Sequence, residues 1–146
     1  DAAYLAPRYG VPITYGGLMA TLRDVTRFGL LHTPSRSVVA DERILPEGYV
    51  SLLLNGGDPS LLDNARDGDA VAEDVRYAIG QWDAVYENDD IHKGGWAGQG
   101  LLVNPEKDLV AVYTGHRDTD GSTTELLPIL RGVLNAVYPR RAAQAE

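Results

Sequence analysis

Two side chains that can carry a positive charge, His92 and Lys93, stand directly before the glycine pair Gly94 and Gly95. A lysine at the edge of a strand can bind a carboxylate or polarise a group that transfers a proton. Glycine lets a ligand or another backbone approach closely, because it has no side chain. The segment therefore predicts a site for a ligand carboxylate or for proton transfer. The competing interpretation is an ordinary strand entry with a solvated lysine and a glycine kink.

The elements that would position this segment are antiparallel strands and a closing helix. Alternating apolar and polar residues predict strands over 77–86, 95–103 and 109–113. Pro105 favours a tight turn between the last two strands, which makes them a hairpin. Apolar residues at three- and four-residue steps predict a helix over 123–137. The expected fold class is α/β in an α+β arrangement, with an antiparallel sheet of at least three strands packed on a C-terminal helix. The helix residues expected to pack on the sheet are Leu126, Leu130, Val133 and Val137.

Two further helices and irregular loops are expected before the sheet. Thr21 and Asp24 have the spacing of a capping box, which predicts a helix that ends near Pro34. Pro46 is expected near the first position of a second, shorter helix. Residues 1–20 and 58–73 lack periodicity and are expected to be loops. The apolar stripe of the first helix is expected at Leu22, Val25 and Phe28.

The composition limits the classes of protein that the chain can belong to. Its 146 residues fit one domain, 1–146. Thirteen basic and 21 acidic residues give a net charge of −8, which argues against partners such as nucleic acid or an anionic membrane surface. No apolar run approaches the roughly 18 residues of a membrane helix. With no cysteine and three histidines without ligand spacing, the sequence predicts no metal site.

The segment from Lys93 onward resembles the third motif region of the β-lactamase- and penicillin-binding-protein-like serine hydrolases. That family carries a Lys-Thr/Ser-Gly or His-x-Gly triplet on an edge strand, followed by a hairpin, an Asn/Asp-Pro-Glu turn, a hydrophobic strand and a C-terminal helix. The matching residues here are Lys93-Gly94-Gly95, Asn104-Pro105-Glu106 and Leu109-Val110-Ala111-Val112. Residues 16–31 resemble the family's Gly-Gly and Arg-Phe helix, and residues 77–82 its Tyr-Gly-Leu-Gly-Trp strand. The Lys-Gly-Gly-aromatic form is most similar to the class C-like branch of esterases and 6-aminohexanoate-oligomer hydrolases.

The resemblance implies roles for five residues. Lys93 would sit across from a nucleophilic serine, and the backbone N–H of Trp96 would be one of two oxyanion-hole donors. His92, Gly94 and Gly95 would line the substrate site. The triplet could also be read as His92-Lys93-Gly94, although the interval back from the proline of the turn favours Lys93. The implied reaction is hydrolysis of a small-molecule ester, amide or lactam through an acyl-enzyme, with no cofactor.

The family's Ser-x-x-Lys nucleophile motif is missing, because no serine of this chain is followed three residues later by lysine. The chain is therefore expected to be the C-terminal part of such a hydrolase and to be inactive alone. Its expected partners are the N-terminal part of the same protein, or a second copy joined through an unpaired sheet edge. The alternative is a non-catalytic binding or assembly module with the same partial fold.

Overall fold

The computed structural model describes residues 2–4, 10–11, 16–62, 72–116, 118–121 and 126–139. Five consecutive strands form one antiparallel sheet, in which each strand pairs with its neighbours in sequence. Over the described residues the fold is α+β, as the sequence predicts, with this sheet, two α-helices before it and one α-helix after it. The five strands are β3 (Val75–Ile79), β4 (Trp82–Tyr86), β5 (Ile91–Gly95), β6 (Gln99–Asn104) and β7 (Leu109–Tyr113).

Two of the three predicted strands are each divided by a turn. The segment 77–86 is interrupted at Gly80, whose positive φ of 58° reverses the chain between β3 and β4. The predicted strand 95–103 begins with the last residue of β5, and a turn over 96–98 then leads into β6. The third strand and the Pro105 hairpin are confirmed, since Asn104 pairs with Leu109.

The first helix, α1 (Leu22–Leu30), begins where the capping box predicts it. The Thr21 hydroxyl accepts the backbone N–H of Asp24 at 3.2 Å. The predicted stripe is wrong in part, because Leu22 and Phe28 are half exposed. Val25 packs against the core as predicted, and Gly29 beside this face is buried. A Cβ at position 29 would lie 2.5 Å from a methyl group of Val110, so the missing side chain allows α1 to lie close to β6 and β7.

The second helix, α2 (Tyr49–Asn55), starts later than predicted. Pro46 is three residues upstream, where its carbonyl accepts the N–H of Tyr49 at 3.2 Å. Gly48 adopts a φ of 80° at the N-cap, a backbone conformation that suits glycine. Part of the predicted N-terminal loop is instead a strand pair, β1 (Ala2–Tyr4) with β2 (Leu18–Ala20). Within the predicted 58–73 loop, Pro59–Leu62 form a 3-10 helix, and 63–71 lie outside the described residues.

The last helix, α3 (Leu126–Val137), is confirmed over the described part of its predicted range. Its predicted packing face is wrong in part, because Val133 and Val137 are exposed, while Leu126 and Leu130 are partly buried. The side of α3 that meets the sheet carries Arg131, whose guanidinium binds Asp74 and Asp90. A polar anchor at Arg131 therefore fixes the helix, together with Leu127, which packs against the core, while Val133 and Val137 face outward.

Candidate functional site

Strand β5 presents His92 and Lys93 on opposite faces of the sheet, because successive side chains of a strand alternate. Lys93 pairs across the ladder with Leu101. The side chain of Leu101 faces α1, since a Cβ at Gly29 would lie 3.0 Å from it. Lys93 therefore shares the α1 face, and His92 lies on the other face, in contact with Tyr113. A ligand bound on one face of the sheet can therefore contact Lys93 or His92, but not both.

The Lys93 ammonium forms an ion pair with Asp83, the second residue of β4. The Nζ to Oδ1 distance is 2.6 Å, and the second oxygen of the same carboxylate accepts the backbone N–H of Gly94 at 2.6 Å. Both side chains of the ion pair are close to half exposed, at 43% and 45%. Such pairs contribute only about 0–1 kcal/mol to stability. The contact therefore orients Lys93 and leaves its ammonium accessible to a ligand.

His92 is 8% exposed, and its Nε2 lies 3.0 Å from the hydroxyl of Tyr113. The two rings are stacked, with 2° between their planes. Burial lowers the pKa of His92 to about 4, against a smaller opposing effect of Asp83. Burial also raises the pKa of Tyr113 above its usual 10.0. At neutral pH both groups are therefore uncharged, and His92 is shielded from a ligand that approaches the Lys93 face.

Two glycines near Lys93, Gly95 and Gly100, are in close contact with side chains of the protein itself. A Cβ at Gly100 would lie 2.5 Å from the Tyr113 hydroxyl oxygen and 2.9 Å from His92 Nε2. A Cβ at Gly95 would lie 2.8 Å from the side chain of Gln99. These two glycines are explained by internal packing, so their presence alone does not indicate a ligand.

Trp96 begins the turn between β5 and β6, one residue after Gly95. Its side chain is 75% exposed, which is unusual for a tryptophan. The next two residues, Ala97 and Gly98, have positive φ values of 68° and 76°. Gly115 packs so closely on this turn that a Cβ there would meet the backbone of Ala97 and Gly98. The Trp96 ring is exposed in the turn that follows β5, three residues after Lys93, and the oxyanion-hole role of its N–H stays a prediction.

The serines of the described ranges are not activated as nucleophiles. The Ser35 hydroxyl donates to Asp108 at 2.6 Å, and the Ser60 hydroxyl donates to Asp58 at 2.7 Å. Neither hydroxyl contacts a histidine or lysine that could remove its proton. Ser122 lies outside the described residues. Across that same part of the chain, no His, Asp and Glu side chains are grouped so that they could hold a metal ion, and no helix has the length and apolarity to cross a bilayer.

Asp83 and Tyr113 are the two site residues that the sequence interpretation missed. Tyr113 could have been found by counting from the Asn104–Leu109 turn, because that register places it opposite Gly100. No sequence pattern predicts the role of Asp83. Its contact with Lys93 requires the turn at Gly80, and the alternation of apolar and polar residues continues through that turn without a break. Comparisons with protein families, with curated proteins and with solved structures found no match to this chain.

Proposed function

We propose that this chain forms part of a serine hydrolase with a β-lactamase-like fold, in which β5 supplies Lys93-Gly94-Gly95 and another polypeptide segment supplies the nucleophile. In the family that the sequence resembles, a cationic triplet is followed by a hairpin, a hydrophobic strand and a C-terminal helix. The structure has β5, β6, β7 and α3 in that order, which supports the proposal, but β5 lies in the middle of the described sheet and not at its edge as in the family.

The observation that carries the proposal is the exposure of Lys93. Its side chain is 43% exposed at the middle of β5, whereas His92 is buried, uncharged and bonded to Tyr113. Of the two registers suggested by the sequence, only Lys93-Gly94-Gly95 offers a cation to a substrate. An accessible ammonium that one exposed carboxylate orients can exchange that partner for a substrate carboxylate at little cost.

In the reaction, Lys93 binds the carboxylate of the substrate or polarises the proton network at the nucleophile. The backbone N–H of Trp96 donates to the oxyanion that forms when the serine attacks an ester, amide or lactam carbonyl. One such donor contributes roughly 3–4 kcal/mol in the transition state. The exposed Trp96 ring supplies an apolar surface for the acyl group or the leaving group.

The test compares the two lysines of the chain, Lys93 and Lys107. In the product of the complete reading frame, Lys93→Ala should lower kcat/KM for a chromogenic ester or lactam at least about tenfold, or about 1.4 kcal/mol. Lys107→Ala is the matched control, because Lys107 contacts Asn135 at the opposite end of the hairpin. The 146-residue chain alone should show no turnover with either substrate.

Three results would overturn the proposal. The first is a complete reading frame with no Ser-x-x-Lys. The second is equal activity of the Lys93→Ala and Lys107→Ala variants. The third is loss of activity in His92→Ala with normal activity in Lys93→Ala, which would place the triplet one residue earlier.

One feature favours the alternative, a non-catalytic assembly module. Among the described residues β7 pairs on one side only, with β6, and all five of its residues are partly buried. An edge of this kind is a template for another strand. If the chain is an assembly module, sedimentation at increasing concentration should show a dimer, and a chain that stays monomeric would exclude pairing between two copies.

A further inference from the structure

A second region of the molecule combines a cavity with positive charge, away from Lys93. The cavity has a volume of about 450 Å³ and lies between the end of α1, the start of α2 and the β6–β7 turn at Pro105. Strand β6 separates that turn from the Trp96 turn by five residue steps, or roughly 17 Å at about 3.3 Å per residue. Lys93 is closer, because its partner Leu101 lies three residue steps or roughly 10 Å from Asn104. Neither Lys93 nor Trp96 is among the described residues that line the cavity, so the two sites are separate.

Two arginines, Arg36 and Arg43, line this cavity. The part of the chain that the structure describes has six arginines, and those at positions 27, 76 and 131 are in ion pairs with carboxylates. Arg36 and Arg43 have no carboxylate partner within 4.0 Å among the described residues, although the protein carries a net charge of −8. No aspartate or glutamate belongs to the described lining of the cavity. Two arginines without a carboxylate partner among the described residues therefore line one concave space.

The rest of the lining is mostly apolar. Leu31, Leu45 and Val50 contribute aliphatic side chains, and Ser51 adds a hydroxyl. His32, which is 3% exposed, forms part of the wall and bonds through Nδ1 to the carbonyl of Phe28 at 3.2 Å. A space of this volume is about 10 Å across if spherical, which falls within the range of small-molecule sites. The lining suits a molecule with an apolar body and an anionic head.

We propose that this cavity binds a small molecule that has an oxyanion group, a phosphate or a carboxylate, and an apolar body. The planar guanidinium of arginine binds both groups through two parallel N–H donors, which gives direction as well as charge. Arg36 and Arg43 hold the oxyanion, and the aliphatic residues cover the body of the ligand.

The experiment titrates three probes into the 146-residue chain at constant ionic strength: phenyl phosphate, benzoate and phenol. Calorimetry measures affinity, and the ring signals of His32 in NMR spectra report occupancy of the cavity. Phenyl phosphate or benzoate should bind and shift the His32 signals, whereas phenol, which lacks the oxyanion, should bind at least about tenfold more weakly. The tighter of the two anions identifies which oxyanion the site prefers. Constant salt is needed because charges at a surface are screened over about 10 Å at 0.1 M.

Three glutamine variants separate the site from general charge. Arg36→Gln and Arg43→Gln should each weaken binding of the preferred anion at least about tenfold. Arg23→Gln is the matched control, because Arg23 is exposed, lies on α1 outside the cavity lining and changes the net charge equally. Its affinity should stay within about twofold. Arg43→Lys should lose affinity despite keeping its charge, since lysine has no planar fork.

The proposal fails if neither anion binds at about 10 mM, which corresponds to less than about 3 kcal/mol of binding free energy. It also fails if phenol binds as tightly as the anions, since the cavity is then only apolar. Equal losses in the Arg23, Arg36 and Arg43 variants would overturn it as well, because they would show attraction to overall charge. Near-ultraviolet circular dichroism confirms that each variant is folded.

Discussion

Replacement of Arg131 by methionine should destabilise the protein more than any other single change of charge. The guanidinium of Arg131 donates to Asp74 at 2.7 Å and to Asp90 at 3.2 Å, and its central carbon lies 3.4 Å from the centre of the Tyr86 ring. Its side chain is only 12% exposed. Methionine keeps most of the stem and removes the charge, so the variant isolates the polar anchor of α3.

The magnitude follows from the exposure of the two carboxylates. Removal of one partner from a buried ion pair costs about 3–5 kcal/mol, because the other charge stays buried. The Asp74 side chain is 48% exposed and can be solvated, whereas that of Asp90 is 5% exposed. Asp90 keeps amide donors from Asn88 and Asn104, both at 2.9 Å, which reduces the penalty. We expect about 3 kcal/mol, which for a chain of this length lowers Tm by roughly 10 °C.

Urea denaturation at pH 7, followed by circular dichroism, measures this loss. Arg27→Met is the matched control, because the Arg27 side chain is exposed and its Nη1 lies 3.7 Å from Oδ1 of Asp24. This substitution should lower the free energy of unfolding by less than about 0.5 kcal/mol. Addition of Asp90→Asn to the Arg131→Met variant should recover at least about 1 kcal/mol, since the amide carries no charge to desolvate. A loss under about 1 kcal/mol, or no recovery in the double variant, would refute the reasoning.

Three further predictions concern pH and packing. Because burial lowers the pKa of His92 from 6.5 to about 4, the unfolded chain binds a proton that the native protein does not bind in this interval. Stability should therefore fall by up to about 1.4 kcal/mol per unit as the pH decreases from 6.5 to 4. His92→Gln should flatten this slope in urea titrations over that pH interval, and a slope equal to that of the unmodified protein would contradict it. Gly29→Ala should lower the free energy of unfolding by about 1–3 kcal/mol, because its Cβ would meet Val110. Gly132→Ala has open space around it and should raise the free energy of unfolding by about 0.5–1 kcal/mol. Equal effects of the two substitutions would disprove the close packing of α1. Leu130→Ala should cost about 1–2 kcal/mol, less than for a fully buried leucine, and a loss above about 3 kcal/mol would place Leu130 in the core.

The sequence predicts the elements whose signals are local. The capping box at Thr21 marks the start of α1, and the turn at Pro105 sets the register of β6 and β7. Two-residue alternation continues through a tight turn, so it could not show that β3 and β4 separate at Gly80. A turn that depends on the positive φ of Ala97 is equally hidden, because alanine is not a usual turn residue.

The packing face of α3 and the partner of Lys93 depend on contacts between residues far apart in sequence, which local patterns do not show. The apolar residues of α3 recur regularly, yet Val133 and Val137 face outward. The reason is that Arg131 must reach Asp74 and Asp90. An arginine among apolar residues is normally interpreted as solvated, and its partners are 41 and 57 residues away. For the site, the glycines and Lys93 single out this segment, but the predicted strand begins only at Gly95, so β5 itself is missed. The carboxylate that orients Lys93 is seen only in three dimensions.

The polar anchor of α3 also determines when the sheet can mature as the chain leaves the ribosome. Synthesis proceeds from the N-terminus, so β3 to β7 are available before the residue that neutralises Asp90. Until Arg131 arrives, closure of the sheet around Asp90 would enclose an uncompensated negative charge, which disfavours the closed state. The last helix thus acts as the completing step of folding, and a nascent chain stalled before position 131 should remain open to proteolysis around β5.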